Sequence, residues 1–182
     1  VKYIGKKAFC GCTSLRKIEL PITVSFIGEN AFEYCDKLHL KVSPPLFHKK
    51  VNYCIYQNIK SIEMINYLSF IPKCAFEKCM YLSKIIIPSS VIVIKDYAFK
   101  ECSFLSFITL PEKLGIIGIC AFEKCYNLEK VFFVNPSSLN KIDNYAFKGC
   151  NLLNEINYTP SVKMGCGVFD NCPYMKKKLN SH

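Results

Sequence analysis

Tryptophan is absent from the 182 residues, histidine occurs three times, and the only arginine is Arg16. Scarce histidine removes the commonest general base and metal ligand from most of the chain. His39, His48 and His182 form no His-Glu-x-x-His pattern, and no serine stands in a nucleophile elbow. His39 and His48 are expected in partly exposed loops. No Cys-x-x-Cys pair occurs, and the five-residue step from Cys74 to Cys79, or Cys120 to Cys125, would turn two thiols about 140° apart on a helix. Gly165-Cys166-Gly167 lacks the third glycine of a dinucleotide loop. No metal, cofactor or catalytic residue is therefore expected. Charges interrupt every apolar run before the roughly 18 residues that a membrane span needs, so direct membrane insertion is not expected. Sequence-specific nucleic-acid readers lean on the arginine fork, which a lone arginine cannot supply.

What is present describes a packed chain. Apolar residues make up 51%, aromatics 14% and charged residues 21%, too apolar for a disordered segment. Lysine and arginine number 24 against 14 acids, a formal charge of +10. Lys176, Lys177 and Lys178 sit together in a basic C-terminal tail at 176–182, expected to be solvated. Twelve cysteines are too dilute for a small disulfide scaffold.

Repetition organises everything else. The stretch Ile4-Gly5-Lys6-Lys7-Ala8-Phe9-Cys10-Gly11-Cys12-Thr13-Ser14-Leu15-Arg16-Lys17-Ile18-Glu19-Leu20-Pro21 returns along the chain. Ala-Phe recurs at Phe32, Phe76, Phe99, Phe122 and Phe147, with Val168-Phe169 as a variant. Three residues after each Phe stands Cys12, Cys35, Cys79, Cys102, Cys125, Cys150 or Cys172, and three further on a Leu or, last, Met175. A worn copy with Tyr53, Tyr56, Ile59, Ile62 and Met64 fills the long gap between Phe32 and Phe76. Eight units of about 23 residues result.

Each unit reads as two pieces. Leu-x-x-Ile-x-Leu alternates like a strand with one apolar face, and the following Pro, as at Pro21, Pro88 and Pro111, ends it. The Ala-Phe-x-x-Cys-x-x-Leu spacing matches one or two helical turns. One unit cannot bury these residues alone, but stacking makes a continuous core beside a parallel strand ladder. The cysteine column would point into that core as small hydrophobes, a geometry that opposes disulfides.

The motif Ile-Gly-x-x-Ala-Phe-x-x-Cys-x-x-Leu-x-x-Ile-x-Leu-Pro, standing at Ile4 to Pro21, resembles the BspA-like leucine-rich repeat class over essentially the whole chain. The resemblance implies an α/β repeat solenoid: one leucine-rich repeat domain over 1–182, with the parallel ladder on its concave face and short helices or turns opposite. An irregular ladder is expected at about 39–66, where the strand shifts to Leu40 and Val42 before Pro44-Pro45. Val1 begins partway through a unit, so a fragment of a longer array is expected.

In that fold the residues between inward strand positions face outward. They include Lys84 and Ile86, Phe107 and Thr109, Lys130 and Phe132, then Glu155 and Asn157. Ile86, Phe107 and Phe132, bordered by Lys84 and Lys130, form the candidate site for a protein partner, because desolvated rings dominate interface energy. The resemblance implies a microbial cell-surface or secreted adhesion module. The lysine excess and free thiols keep a second reading open, a cytoplasmic scaffold docked on an acidic protein surface. An enzyme is the remotest reading.

Overall fold

The computed structural model describes residues 1–21, 23–42, 59–64 and 68–175. Fourteen strands of two to four residues follow one another through them: β1 (Tyr3–Ile4), β2 (Lys17–Glu19), β3 (Phe26–Ile27), β4 (His39–Val42), β5 (Ser61–Met64), β6 (Phe70–Ile71), β7 (Lys84–Ile86), β8 (Val93–Ile94), β9 (Phe107–Leu110), β10 (Ile116–Ile117), β11 (Lys130–Phe133), β12 (Lys141–Ile142), β13 (Glu155–Ile156) and β14 (Lys163–Met164). All pair in parallel, and each pairs with the equivalent strand of an adjacent coil. The chain is thus a parallel-strand solenoid, as the repeat spacing predicts.

Two ladders run along it. The first joins β2-β4-β5-β7 and then β9-β11-β13, from the Leu-x-x-Ile-x-Leu segments. The second joins β1-β3 and β6-β8-β10-β12-β14, from apolar pairs such as Val93-Ile94. Its two-residue strands are too short for the sequence to show any alternation. β4 and β5 pair in register over four residues, His39 against Ser61 through Val42 against Met64, so the described ends of the expected irregular stretch are regular. Leu40, Val42 and Ile62 are fully buried. Tyr53, Tyr56, His48 and the tail at 176–182 lie outside the described residues.

The segment with helical spacing does not become an α-helix. Residues flanking the Ala-Phe pair adopt left-handed backbone, with φ of 52° to 62° at eleven non-glycine positions such as Tyr97, Glu101, Cys120 and Lys124. In the coil around Phe99, the amides of Tyr97, Phe99 and Glu101 donate to carbonyls of Ile119, Ala121 and Glu123 in the next coil. The amides between them, of Ala98, Lys100 and Cys102, close turns onto Lys95, Tyr97 and Phe99. An α-helix would use every amide within the coil and leave none for the stack. Left-handed residues cost about 1 kcal/mol or more each outside glycine, and the bonds between coils hold them there. Gly11, Gly149 and Asn171 in one column, and Asn30 and Gly167 in the other, mark these positions in the sequence.

The core is built from columns. Phe76, Phe99, Phe122 and Phe147 are fully buried and stack at ring centroid distances of 5.2, 5.0 and 5.2 Å. The planes diverge by at most 14°, the parallel arrangement that coil spacing dictates. The glycine of Ile-Gly serves coil contact: a Cβ at Gly118 would lie 2.7 Å from the Asp96 backbone nitrogen and 2.8 Å from the Lys95 carbonyl carbon. Backbone cannot retreat as a flexible side chain can. Gly118→Ala is therefore expected to cost about 1–3 kcal/mol, the usual range for overpacking. Urea denaturation checks it, and an unchanged midpoint would contradict this packing.

Candidate functional site

Alternation along the first ladder sends every second residue outward. One outward column runs Lys17, His39, Ser61, Lys84, Phe107, Lys130, Glu155, and the other Glu19, Lys41, Glu63, Ile86, Thr109, Phe132, Asn157. The face changes character along its length. Its first half carries cross-strand polar pairs: Lys41 Nζ lies 3.4 Å from Glu19, and His39 bridges Ser61 (2.7 Å) and Glu63 (3.2 Å). The hydrogen bond from His39 is the main cause holding the Glu63 carboxyl below its usual range. His39 is thus a strand residue of β4, not the loop residue expected, because the worn neighbouring unit still supplies a strand for it to pair with.

The second half is apolar. Ile86 is 45% exposed, Phe107 53% and Phe132 51%, and Val134 beyond β11 is equally open. Register sets Phe107 beside Lys130 and Thr109 beside Phe132. Lys84 and Ile86 instead pair with Ser61 and Glu63 on their other side. No ladder joins β7 to β9, so these two members of the candidate set face Phe107 across an opening. Lys130 is not a free cation: its ammonium lies 2.8 Å from Glu155, whose hydrogen bond and charge raise its pKa. Lys84 forms no ion pair among the described residues.

Asn157 closes the far end. Its side chain accepts from the Phe133 amide at 2.6 Å and donates to the Phe133 carbonyl at 3.0 Å, extending the two-residue strand β13 in place of backbone. Sequence reasoning placed Asn157 on the outer face but had no signal for this bond. It also missed the outer side of the second ladder, where Tyr3, Phe26 and Ile116 are exposed and Phe70 lies beneath the Lys95 ammonium at 3.9 Å.

Among the described residues, no group of three or more His, Cys, Asp and Glu is placed to hold a metal ion. No described helix is long and apolar enough to cross a membrane. With the two ladders, the turn segment and the phenylalanine column in place, the comparison with known families is direct. The family described as BspA type leucine rich repeat region matches in six copies, over residues 1–69 and 50–176. The chain belongs to the BspA-type leucine-rich repeat family.

Among solved structures it is similar to a leucine rich cell surface protein of Faecalibacterium prausnitzii, at 23% identity and a TM-score of 0.50. That likeness covers 96% of this chain and 57% of the other, so the chain spans little more than half of that protein's length. It is also similar to a leucine rich repeat protein of T. pallidum, at 22% identity and a TM-score of 0.44, covering all of this chain and 76% of that one. Comparison with curated proteins gives no match.

The BspA-type cysteine column does more than fill space. Cys102, Cys125 and Cys150 are buried, and each thiol donates at 3.1 Å to the phenylalanine carbonyl of the preceding coil, at Phe76, Phe99 and Phe122. Cys35 and Cys172 do the same at 3.0 Å, onto Phe9 and Phe147. Each such carbonyl also accepts its own coil's cysteine amide, so both lone pairs are used. Alanine would pack there but leave this acceptor half satisfied. Burial pushes the Cys102 and Cys150 thiols well above the usual range. Outside the column, burial and then Glu77 push Cys74 up to about 11, and burial and then Glu123 raise Cys120 to about 11. Because thiolate is the reactive form, iodoacetamide at pH 7.5 is expected to label the exposed Cys12 and Cys166 first among the described cysteines. Peptide mapping that finds Cys125 modified in folded protein as fast as Cys166 would contradict the column.

Proposed function

We propose that this BspA-type repeat chain is a non-enzymatic protein-binding module of a microbial cell surface, and that the apolar half of its first ladder is the contact face. The observation that carries the reading is the group of Ile86, Phe107 and Phe132, all about half exposed, with Phe107 and Phe132 on the paired strands β9 and β11 and Ile86 across the opening on β7. Large exposed apolar side chains grouped on one soluble face mark interaction sites, and rigid strands spare the entropy of ordering them. The family's repeat architecture supports an interaction role, and the description of the F. prausnitzii protein as a cell surface protein supports the location. Hydrogen exchange on the chain bound to a partner selected from host surface proteins tests it. Protection is expected over 107–110 and 130–133. Protection confined to the second ladder would overturn the assignment.

A cytoplasmic scaffold docked on an acidic surface remains the second reading, supported by the formal charge of +10. The ion pairs on the first ladder weaken it, because Lys41 and Lys130 already face carboxylates.

A further inference from the structure

The first ladder is interrupted once within its described second half, between β7 and β9, while the second ladder runs unbroken past the same point through β6, β8 and β10. The coils therefore stay stacked on one side and part on the other. Solvent reaches the core there: Ile85 is 8% and Ile87 9% exposed, whereas Ile62 and Leu110 in flanking coils are fully buried. The opening is a groove of about 330 Å³. The carbonyls of Ser106, just before β9, and of Leu110, at its end, already accept amides from the next coil, at Glu129 (2.8 Å) and Val134 (3.1 Å). In a parallel strand alternate residues serve opposite neighbours, so the backbone groups of Phe107 and Thr109 face the groove. Its floor and walls are apolar, from Ile86, Phe107 and Val134.

The ends carry opposite charges. Lys84 stands at the entrance to β7 and Glu112 just past β9, both exposed. Neither joins an ion pair among the described residues, unlike Lys130 or Lys41 beside them. Five residues separate the Phe107 level from Glu112, about 16 Å at strand rise.

We propose that this groove takes an extended segment of the partner protein, in which a bulky aliphatic side chain lies between an acidic and a basic residue about five positions apart. The acid meets Lys84, the aliphatic group fills the space between Ile86 and Phe107, and the base meets Glu112. This assignment rests on the binding-face reading above and specifies its partner chemistry. Bulk aliphatic contact alone would leave both end charges without a role, and an acidic surface would be repelled by Glu112.

The probes are two fluorescein-labelled nine-residue peptides of identical composition, Asp and Lys flanking a central Leu with Gly-Ser spacers. One runs Asp-first and the other Lys-first. Anisotropy titration of the whole chain is expected to show one order bound at least ~10-fold more tightly, because the backbone groups of Phe107 and Thr109 hold the segment in one chain direction, in which the wrong order sets like charges together at both ends. The exchange variant Lys84→Glu with Glu112→Lys is expected to prefer the opposite order. Equal affinities, unchanged preference in the exchange variant, or no binding of either peptide at millimolar concentration would each overturn the proposal. Failure here is distinguishable from failure of the broader reading. If a selected partner protein loses affinity for Phe107→Ala/Phe132→Ala while the peptides show no order preference, the face stands and the groove assignment falls. Circular dichroism of each variant guards against unfolding.

Discussion

Phe122→Ala is expected to remove about 3–5 kcal/mol of stability, the range for truncating a buried phenylalanine. The ring has no solvent exposure and lies between Phe99 at 5.0 Å and Phe147 at 5.2 Å, nearly parallel to both. Truncation therefore loses two stacking contacts as well as the apolar area. The surrounding coils have little means of collapsing into the gap. Their spacing is held by backbone bonds on either side of the ring, from Phe99 N–H to Ala121 and from Phe122 N–H to Ala146. A domain held by 5–15 kcal/mol in total would keep only a fraction of that. Phe9 sits at the first coil, half-buried, with Phe32 at 5.3 Å as its single stacking partner among the described residues. Phe9→Ala should accordingly cost clearly less. Denaturant titration of both variants checks the pair. Equal losses, or a loss below 1 kcal/mol at Phe122, would contradict a column that is continuous from Phe76 to Phe169.

The second large effect concerns binding. Phe107→Ala with Phe132→Ala is expected to weaken partner affinity by at least ~2 kcal/mol, about 30-fold, with the fold unchanged. Both rings stand on the outward side of laddered strands, and the inward neighbours Ile108, Val131 and Phe133 keep the core filled. Rings at the centre of a contact govern dissociation, whereas charges at its rim govern association and salt response. Lys84→Gln with Lys130→Gln should therefore flatten the salt dependence and cost less. Of the two, Lys84 should account for most of the change, since Lys130 is already countered by Glu155. Affinity at two salt concentrations separates the cases. A lysine variant that loses most binding while the phenylalanine variant loses none would favour the cytoplasmic scaffold reading.

How much of this was legible in the sequence depends on the kind of residue. The columns of Phe99 and Cys102 repeat without exception through the later coils, and that of Leu105 until Met175 takes its place in the last; repetition at fixed spacing specifies stacking before any local structure is known. The same spacing misled about local conformation. Ala98, Cys102 and Leu105 lie at helical intervals, yet a coil bonded to its neighbours needs every second amide pointing sideways, and left-handed residues at Tyr97 and Glu101 supply that. Periodicity reports which side chains share a face and is silent on where the amides go. The second ladder escaped notice because a two-residue strand such as Ile116–Ile117 leaves no alternation to read. The outward positions Ile86, Phe107 and Phe132 followed from strand alternation alone. The opening between β7 and β9 did not, since Leu82 to Pro88 and Leu105 to Pro111 carry the same motif. Nothing in those residues distinguishes a closed junction from an open one.

Whether the apolar half of the first ladder is the contact face is decided by site-specific photocrosslinking. A photoreactive phenylalanine analogue is placed singly at Phe107, at Phe132 and, on the second ladder, at Phe26, each of them about half exposed. Exposure being equal, only the location of the partner distinguishes the three. Crosslinks to the partner are expected from Phe107 and Phe132 and none from Phe26; a partner captured from Phe26, with Phe107 and Phe132 silent, would place the contact on the second ladder instead.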